Sequence, residues 1–300
     1  HTIETNEFGL HEFMGWAREA GVEVMEAIIL GTRGVEEARA LVEYANHPGG
    51  TYWSDLRRKN GAEEPFDIKL WCLGNELDGP WQIGHKTAHE YGRLAQETAK
   101  AMKLVDDSIE LVAVGSSNRY MDTFGTWEHT VLTHAYDEID YISMHEYYQE
   151  RSGDAASFLA EAVGMDAFID GVVATIDAVK AAGKHTKQVD ISFDEWNVWY
   201  MEGLDSEDQP DQVKKEWREH PRLIEDEYSV TDAVVVGTLL NSLLRHGDRV
   251  RIANQAQLVN VIAPIRSEES GPAWRQTIFW PFARMASLAR GQILRLAVSA

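Results

Sequence analysis

Six short apolar runs alternate along this chain with longer segments whose apolar residues have helical spacing. We interpret the runs as strands, and they are residues 22–30, 68–73, 111–114, 141–144, 189–193 and 250–253. The intervening helices are predicted at residues 8–20, 36–45, from 87 onward, near 127–135, 168–182 and 230–244. This alternation is typical of parallel strands joined by right-handed helical crossovers. It fits an open doubly wound sheet as well as a closed barrel, so both remain open at this point.

Local signals add detail to the predicted elements. The first helix should be capped near Thr5 or Asn6 and end at Gly21. The segment Thr87-Ala-His-Glu90 matches a capping box and should open a long helix. Residues 46–66 are polar and rich in Gly and Pro, which predicts a long loop, and residues 202–226 form a second polar, acid-rich segment. The chain has no Gly-x-Gly-x-x-Gly after an early strand and no Walker-type loop, which argues against nucleotide binding.

Two glutamates follow directly after predicted strands. Glu76 comes after the run at 68–73, and Glu195 after the run at 189–193. In an α/β barrel the chemistry lies at the carboxyl ends of the strands. Two carboxylates there suit glycosidic bond cleavage, in which one acid protonates the leaving oxygen and the other attacks or activates water. The alternative is that a chain with 49 acidic residues has glutamates at strand ends by chance.

The neighbours of each glutamate sharpen this hypothesis. Asn75 can donate its amide to a sugar hydroxyl, although Asn-Glu is also a common pair at helix caps. Asp194 and Glu195 should face opposite sides of their strand, and we expect Asp194 to make a structural ion pair. His145 and Tyr147 are two residues apart and share one face of a strand end. A Tyr hydroxyl can hold a nucleophilic carboxylate ionised, while a His can bind that carboxylate or be a satisfied buried imidazole.

Composition restricts the partners of this chain. A formal net charge of −21 repels nucleic acids and anionic membranes, so we expect neither, and a neutral polyhydroxylated substrate is compatible with it. Cys72 is the only cysteine and lies in an apolar run, which excludes an internal disulfide and a Cys-based zinc site. No HExxH or similar spacing is present, so we expect no metal site. The chain suits a reducing compartment, and we expect a cytoplasmic location.

Three long motifs carry a resemblance to a known family. They are residues 71–84 (Trp-Cys-Leu-Gly-Asn-Glu-Leu-Asp-Gly-Pro-Trp-Gln-Ile-Gly), 193–200 (Phe-Asp-Glu-Trp-Asn-Val-Trp-Tyr) and 256–265 (Ala-Gln-Leu-Val-Asn-Val-Ile-Ala-Pro-Ile). Shorter matches occur at residues 5–9, 31–34 and 115–118. Over its whole length the chain resembles the α-L-arabinofuranosidases of glycoside hydrolase family 51. The resemblance implies a (β/α)8 barrel and a retaining enzyme, without a cofactor, that removes terminal non-reducing arabinofuranosyl residues from arabinan- or arabinoxylan-type saccharides.

The resemblance also implies roles for particular residues. Glu76 of the Gly-Asn-Glu motif would be the acid/base, with its pKa raised by a neighbouring carboxylate and by partial burial, and Glu195 of Asp-Glu-Trp-Asn would be the nucleophile. The residues expected to contact the substrate or the nucleophile are Asn75, His145, Tyr147, Trp199 and Gln257. A homo-oligomeric full-length protein is compatible with the resemblance.

The chain departs from the family pattern in several places. It contains about six of the eight strand–helix units of such a barrel, and we expect the first two strands to be absent. Residues 1–300 would then be one partial barrel domain, with the last ~25 residues leading towards an absent β-sandwich. A barrel opened in this way should be aggregated or molten, and inactive, when it is expressed alone. Ile29 stands where the family usually has a sugar-binding Asn. Two alternatives therefore remain: another retaining glycosidase of the same clan, such as an endoglucanase or xylanase, and an inactive sugar-binding fragment.

Overall fold

The computed structural model describes residues 2–151, 153–201, 217–292 and 294. The helices are α1 (Leu10–Ala20), α2 (Val35–Asn46), α3 (Tyr52–Lys59), α4 (Ala88–Val105), α5 (Thr126–Ala135), α6 (Ala155–Leu159), α7 (Glu161–Gly183), α8 (Val230–Arg245) and α9 (Phe279–Leu288). The strands are β1 (Thr2–Ile3), β2 (Met25–Ala27), β3 (Leu70–Cys72), β4 (Glu110–Ala113), β5 (Tyr141–Tyr148), β6 (Asp190–Val198), β7 (Arg218–Glu219), β8 (Val250–Gln255), β9 (Ile265–Ser267) and β10 (Ala273–Arg275). None of the described helices has the length and apolar character needed to cross a membrane.

The described residues fall into two compact units. The larger unit contains residues 6–144 and 172–192, and the smaller unit contains residues 1–5, 145–171 and 193–300. The main sheet has the strand order β2-β3-β4-β5-β6-β8, and strands β5 and β6 each have residues in both units. Strands that alternate with helices in this order form part of a (β/α)8 barrel, as the resemblance implied.

In the larger unit, the strands are parallel and in close register. Met25 of β2 lies opposite Leu70 of β3, and Leu70 lies opposite Glu110 of β4. Tyr91 on α4 fixes the ends of two of these strands, because its hydroxyl donates to the carbonyl of Leu73 at 2.8 Å and accepts from the amide of Val114 at 2.7 Å. The loops that follow β3 and β4 therefore start from a rigid base.

The smaller unit contains two short pairs of strands besides the ends of β5, β6 and β8. Strand β1 pairs with β7 in parallel, and β9 pairs with β10 in antiparallel orientation. Fully buried aromatic and aliphatic side chains fill its core, among them Phe158, Phe193, Trp196, Val236 and Leu239.

All six predicted strands are present, although β2 covers three residues rather than the whole run at 22–30. The capping box at Thr87 is confirmed, since the Thr87 side chain accepts from the amide of Glu90 and the Glu90 carboxylate accepts from the amide of Thr87. Gly21 ends α1 in the left-handed region, at φ +66°. The predicted cap near Thr5 or Asn6 is wrong, because Gly9 occupies the N-cap position and Glu12 accepts its amide.

Several regions contain regular structure that the sequence did not indicate, among them α6 and the short strands β1 and β7. The predicted loop at 46–66 contains α3, and the segment after β8 contains β9, β10 and α9. The helix predicted at 168–182 begins earlier, at Glu161. Most of the acid-rich segment, residues 202–216, lies outside the described residues. The assignment of residues 1–300 to one domain stays a prediction.

Candidate active site

In the smaller unit, two side chains from one strand contact the carboxylate of Glu195. Tyr147 on β5 donates its hydroxyl to Oε1 of Glu195. Nδ1 of His145, also on β5, lies 3.4 Å from Oε2 of the same carboxylate. Both contacts come from residues two apart on one strand, as the alternation of side chains along a strand requires. The sequence prediction that His145 and Tyr147 share a face towards this carboxylate is confirmed.

His145 also contacts the second acid of the motif. Its Nε2 lies 3.0 Å from Oδ1 of Asp194, so the imidazole links two adjacent carboxylates. The side chain of Asp194 is 6% exposed and that of Glu195 is 27% exposed. Asp194 therefore makes a structural pair, as expected. The prediction that Asp194 and Glu195 face opposite sides of the strand is wrong, because the same imidazole contacts both carboxylates. Glu195 is the more exposed of the two.

Trp196 and Trp199, three residues apart, have different environments. Trp196 is fully buried and belongs to the core. The ring of Trp199 packs edge-on against Tyr147, with 4.8 Å between ring centroids. Its Nε1 is buried and has no hydrogen-bond partner among the described residues. An indole N–H in that position can serve a ligand hydroxyl.

Asn197 is a functional candidate that the sequence analysis did not single out. Its buried amide nitrogen donates to the carbonyls of Ala256 and Ile262, the latter at 2.6 Å. These bonds attach the end of β6 to the segment that contains Gln257, which is exposed and directly follows Ala256. The position of Asn197 inside the Asp-Glu-Trp-Asn motif was the available signal.

In the larger unit, Glu76 lies in the turn after β3. Its φ of +48° is in the left-handed region, which non-glycine residues seldom occupy outside turns and functional sites. The side chain is half-buried, and Oε2 accepts a hydrogen bond of 2.6 Å from Nε1 of Trp81. Asn75, beside it, is exposed, and so is Ile29, with 61% of its surface accessible.

Two buried carboxylates hold the loop that follows β4. Asp78 accepts from the amide of Ser117 at 3.0 Å and also from its hydroxyl. Glu128 accepts from the amide of Ser116 at 2.8 Å. Burial raises the pKa of both acids, and the charge of Glu76 adds to the increase in the pKa of Asp78. Asp78 thereby ties the Glu76 turn to the neighbouring loop.

Comparisons with known proteins agree with the resemblance noted in the sequence. The profile described as "Alpha-L-arabinofuranosidase 1 domain" matches residues 1–163, and "Alpha-L-arabinofuranosidase C-terminal domain" matches residues 194–300. A protein of Streptomyces lividans named intracellular exo-α-(1→5)-L-arabinofuranosidase is 56% identical over 299 residues, covering 99% of this chain and 45% of that protein. A Bifidobacterium longum protein named exo-α-(1→6)-L-arabinofuranosidase is 54% identical, covering 97% and 56%. The chain spans about half the length of the curated relatives it matches.

The solved structures that this chain resembles include α-L-arabinofuranosidases as well. A family 51 α-L-arabinofuranosidase from Bifidobacterium longum superposes with a TM-score of 0.92 at 49% identity, covering 96% of this chain and 58% of that one. An α-L-arabinofuranosidase from Thermotoga maritima, solved as an arabinose complex, has a TM-score of 0.79 at 36% identity, covering 93% and 52%.

Proposed function

The chain belongs to the α-L-arabinofuranosidases of glycoside hydrolase family 51, and from this premise we propose that it carries the catalytic residues of a retaining α-L-arabinofuranosidase. The single observation that carries the proposal is the environment of Glu195. Tyr147 holds one of its oxygens and His145 lies beside the other, while the carboxylate stays accessible. A carboxylate oriented through both oxygens at a strand end is suited to nucleophilic attack.

In the first step, an oxygen of Glu195 attacks the anomeric carbon while Glu76 gives its proton to the leaving oxygen. The bond between the anomeric carbon and the leaving group breaks, and an arabinosyl-enzyme ester forms. In the second step, Glu76 takes a proton from water, and that water displaces Glu195 from the anomeric carbon. Two inversions give net retention of configuration.

The proposed substrate is a neutral saccharide with a terminal, non-reducing arabinofuranosyl residue, such as an arabinan or arabinoxylan chain. A net charge of −21 is compatible with a neutral sugar and unfavourable for a polyanion. Asn75, Gln257 and the indole N–H of Trp199 are the polar groups we assign to sugar hydroxyls, since two are exposed and the third has no hydrogen-bond partner among the residues that the structure describes. Relatives named for (1→5) and for (1→6) linkages have nearly the same sequence identity to this chain, 56% and 54%. The proposal therefore does not specify which linkage is cleaved. We also propose a cytoplasmic location, because several relatives are named intracellular.

The proposed activity belongs to the soluble, folded form of the protein and not to the aggregated form expected of an opened barrel. The test is the hydrolysis of matched aryl glycosides by that purified soluble form, followed by NMR in real time. We expect release from an aryl α-L-arabinofuranoside, with a first-formed sugar of the same anomeric configuration as the substrate. Aryl β-xylosides and cello-oligosaccharides should be left intact. Cleavage of either of these with no action on the arabinofuranoside would assign the chain to another retaining glycosidase, and an absence of any cleavage would favour a sugar-binding fragment.

A further inference from the structure

Trp81 is an exposed aromatic residue with a fixed side chain. Its surface is 54% accessible, so burial in the core does not hold it. Its Nε1 donates to Oε2 of Glu76 over 2.6 Å. Hydrogen bonds to a carboxylate are shorter than those between neutral groups, and this contact is correspondingly short.

Gly79 leaves the space that this indole ring occupies, because it has no side chain. A methyl group at position 79 would lie 2.3 Å from Cε2 and 2.4 Å from Cζ2 of Trp81, far inside van der Waals contact. The ring therefore lies directly against the Cα of Gly79, and any side chain there would displace it. The backbone of Gly79 itself is not in the left-handed region, so alanine is compatible with the local chain conformation.

Backbone hydrogen bonds in successive turns of the loop bring Trp81 back next to Glu76. The amide of Gly79 donates to the carbonyl of Glu76 at 2.9 Å, and the amide of Gln82 donates to the carbonyl of Gly79 at 3.1 Å. The amide of Lys86 closes the loop on the carbonyl of Leu77 at 2.8 Å. These hydrogen bonds fix the path of residues 76–86, so the backbone of the loop holds the indole next to the carboxyl group.

We propose that Trp81, seated on Gly79, is a positioning residue that selects which oxygen of Glu76 transfers the proton. An indole N–H can only donate, so the oxygen it contacts acts as acceptor. A carboxylic acid accepts better through its carbonyl oxygen than through its hydroxyl, and Oε2 therefore takes the carbonyl role. The proton of the acid form is on Oε1, which gives it to the leaving oxygen and later takes one from water. This inference rests on the proposed acid/base role of Glu76.

Two variants test the inference by different routes. Trp81→Phe keeps an aromatic ring but removes the donor, and Gly79→Ala keeps the donor but displaces it. Ile83→Ala is the matched control, because Ile83 is an apolar residue of the same loop that is 83% exposed. Each purified variant is first checked for an unchanged melting temperature and circular dichroism spectrum.

The readout is the dependence of kcat/KM on the leaving group. A hydrogen bond to a charged group corresponds to roughly tenfold or more in rate. We expect Trp81→Phe and Gly79→Ala to lose this factor on an aryl arabinofuranoside with a poor leaving group. On the dinitrophenyl glycoside, which leaves without protonation, kcat/KM should stay within about twofold of wild type. On the same glycoside the kcat of both variants should fall, because the attack of water needs Glu76 as a base. Added azide should restore this kcat. Ile83→Ala should match wild type throughout.

Three results would overturn the inference. The first is an equal loss of kcat/KM on both substrates, as expected for a residue that only packs against the sugar. The second is wild-type kinetics in Trp81→Phe. The third is a loss of kcat/KM in Trp81→Phe that Gly79→Ala does not share. Failure of the proposed function would look different. In that case wild type would not cleave the arabinofuranosides, or azide would fail to rescue Glu76→Ala.

Discussion

The hydroxyl of Tyr147, near the end of strand β5, donates a hydrogen bond to Oε1 of Glu195, which lies within strand β6. His145, two residues before Tyr147, lies against the other oxygen of the same carboxylate. The spacing of β5 thus orients both oxygens of Glu195 from one strand. This arrangement is the structural basis for treating Glu195 as the nucleophile.

Removing the Tyr147 hydroxyl tests this relationship. Tyr147→Phe keeps the ring that packs on Trp199 but takes away the hydrogen bond to Glu195. Because a bond to a charged group contributes about 1.5–3 kcal/mol, kcat/KM for an aryl arabinofuranoside should fall roughly 10- to 150-fold. Unlike Trp81→Phe, this variant should lose activity on good and poor leaving groups alike, since both need the nucleophile. Unchanged kinetics would show that the hydroxyl has no part in the reaction.

Removing Glu76 tests the division of roles between the two glutamates. Glu76→Ala should form the arabinosyl-enzyme from the dinitrophenyl glycoside at a near-normal rate, because that leaving group needs no proton. Its turnover should then stall, and azide should restore it by attacking without a general base. Burst kinetics with and without azide give the measurement. Equal loss in Glu76→Ala and Glu195→Ala on this substrate, without rescue, would contradict the assignment.

We expect the buried carboxyl group of Glu128 to couple the stability of the larger unit to pH. Its carboxylate accepts from the amides of Ser116 and Gly125, at 2.8 and 2.7 Å, and Glu128→Ala should cost about 2–4 kcal/mol of unfolding free energy. Burial raises the pKa of Glu128 in the folded state above its ordinary value of 4.5. Because the pKa is raised on folding, the stabilisation that the Glu128 side chain gives the folded state is fully present when the pH is below the ordinary pKa. That stabilisation is lost as the pH rises through the pKa of the folded state.

Urea unfolding of wild type and Glu128→Ala across a pH series measures this coupling. The difference in unfolding free energy between the two proteins should be larger near about pH 5 than near about pH 8. A difference that grows with pH would mean that the carboxyl group is buried in its charged form, against the direction of the pKa shift.

Two adjacent arginines make a matched pair for a stability test. Arg57 is fully buried and donates to five backbone carbonyls, which belong to Tyr44, His47, Pro48, Ala62 and Glu63. Lysine has three donors in place of five, so Arg57→Lys should leave at least two carbonyls unpaired and cost about 2–5 kcal/mol. Arg58 bonds an exposed Glu63 side chain, and Arg58→Lys should change the melting temperature little. Similar melting temperatures for both variants would contradict this account of the loop.

The same arginine explains why one helix could not be predicted. Helix α3 lies in the polar segment 46–66, which has no apolar periodicity, and Arg57 holds that segment through its carbonyl contacts. Contacts of that kind depend on how the chain returns to itself, and no local pattern indicates them. The strands, by contrast, follow from apolar runs that must be buried on both faces. Glu76 follows β3 as predicted, whereas Glu195 lies within β6, because that strand continues to Val198 beyond the apolar run.

The candidate site was predicted where strand geometry decides contacts and missed where loops decide them. The shared face of His145 and Tyr147 follows from a period of two. The contact of His145 with both Asp194 and Glu195 does not, because that period places adjacent side chains on opposite faces. The contact of Trp81 with Glu76 depends on a turn and on the missing side chain of Gly79. Asn197 acts through carbonyls more than 50 residues away in sequence, so its role needed coordinates.

The most direct test of the account is the position of the sugar in a trapped intermediate. Glu76→Ala is incubated with the dinitrophenyl arabinofuranoside, quenched in acid, digested and analysed by tandem mass spectrometry. The account predicts a mass increase of one pentosyl residue, carried by Glu195 and absent from a Glu76→Ala, Glu195→Gln double variant. A pentosyl group on Asp194 or any other residue, or an unmodified protein that still releases sugar with inverted configuration, would contradict it.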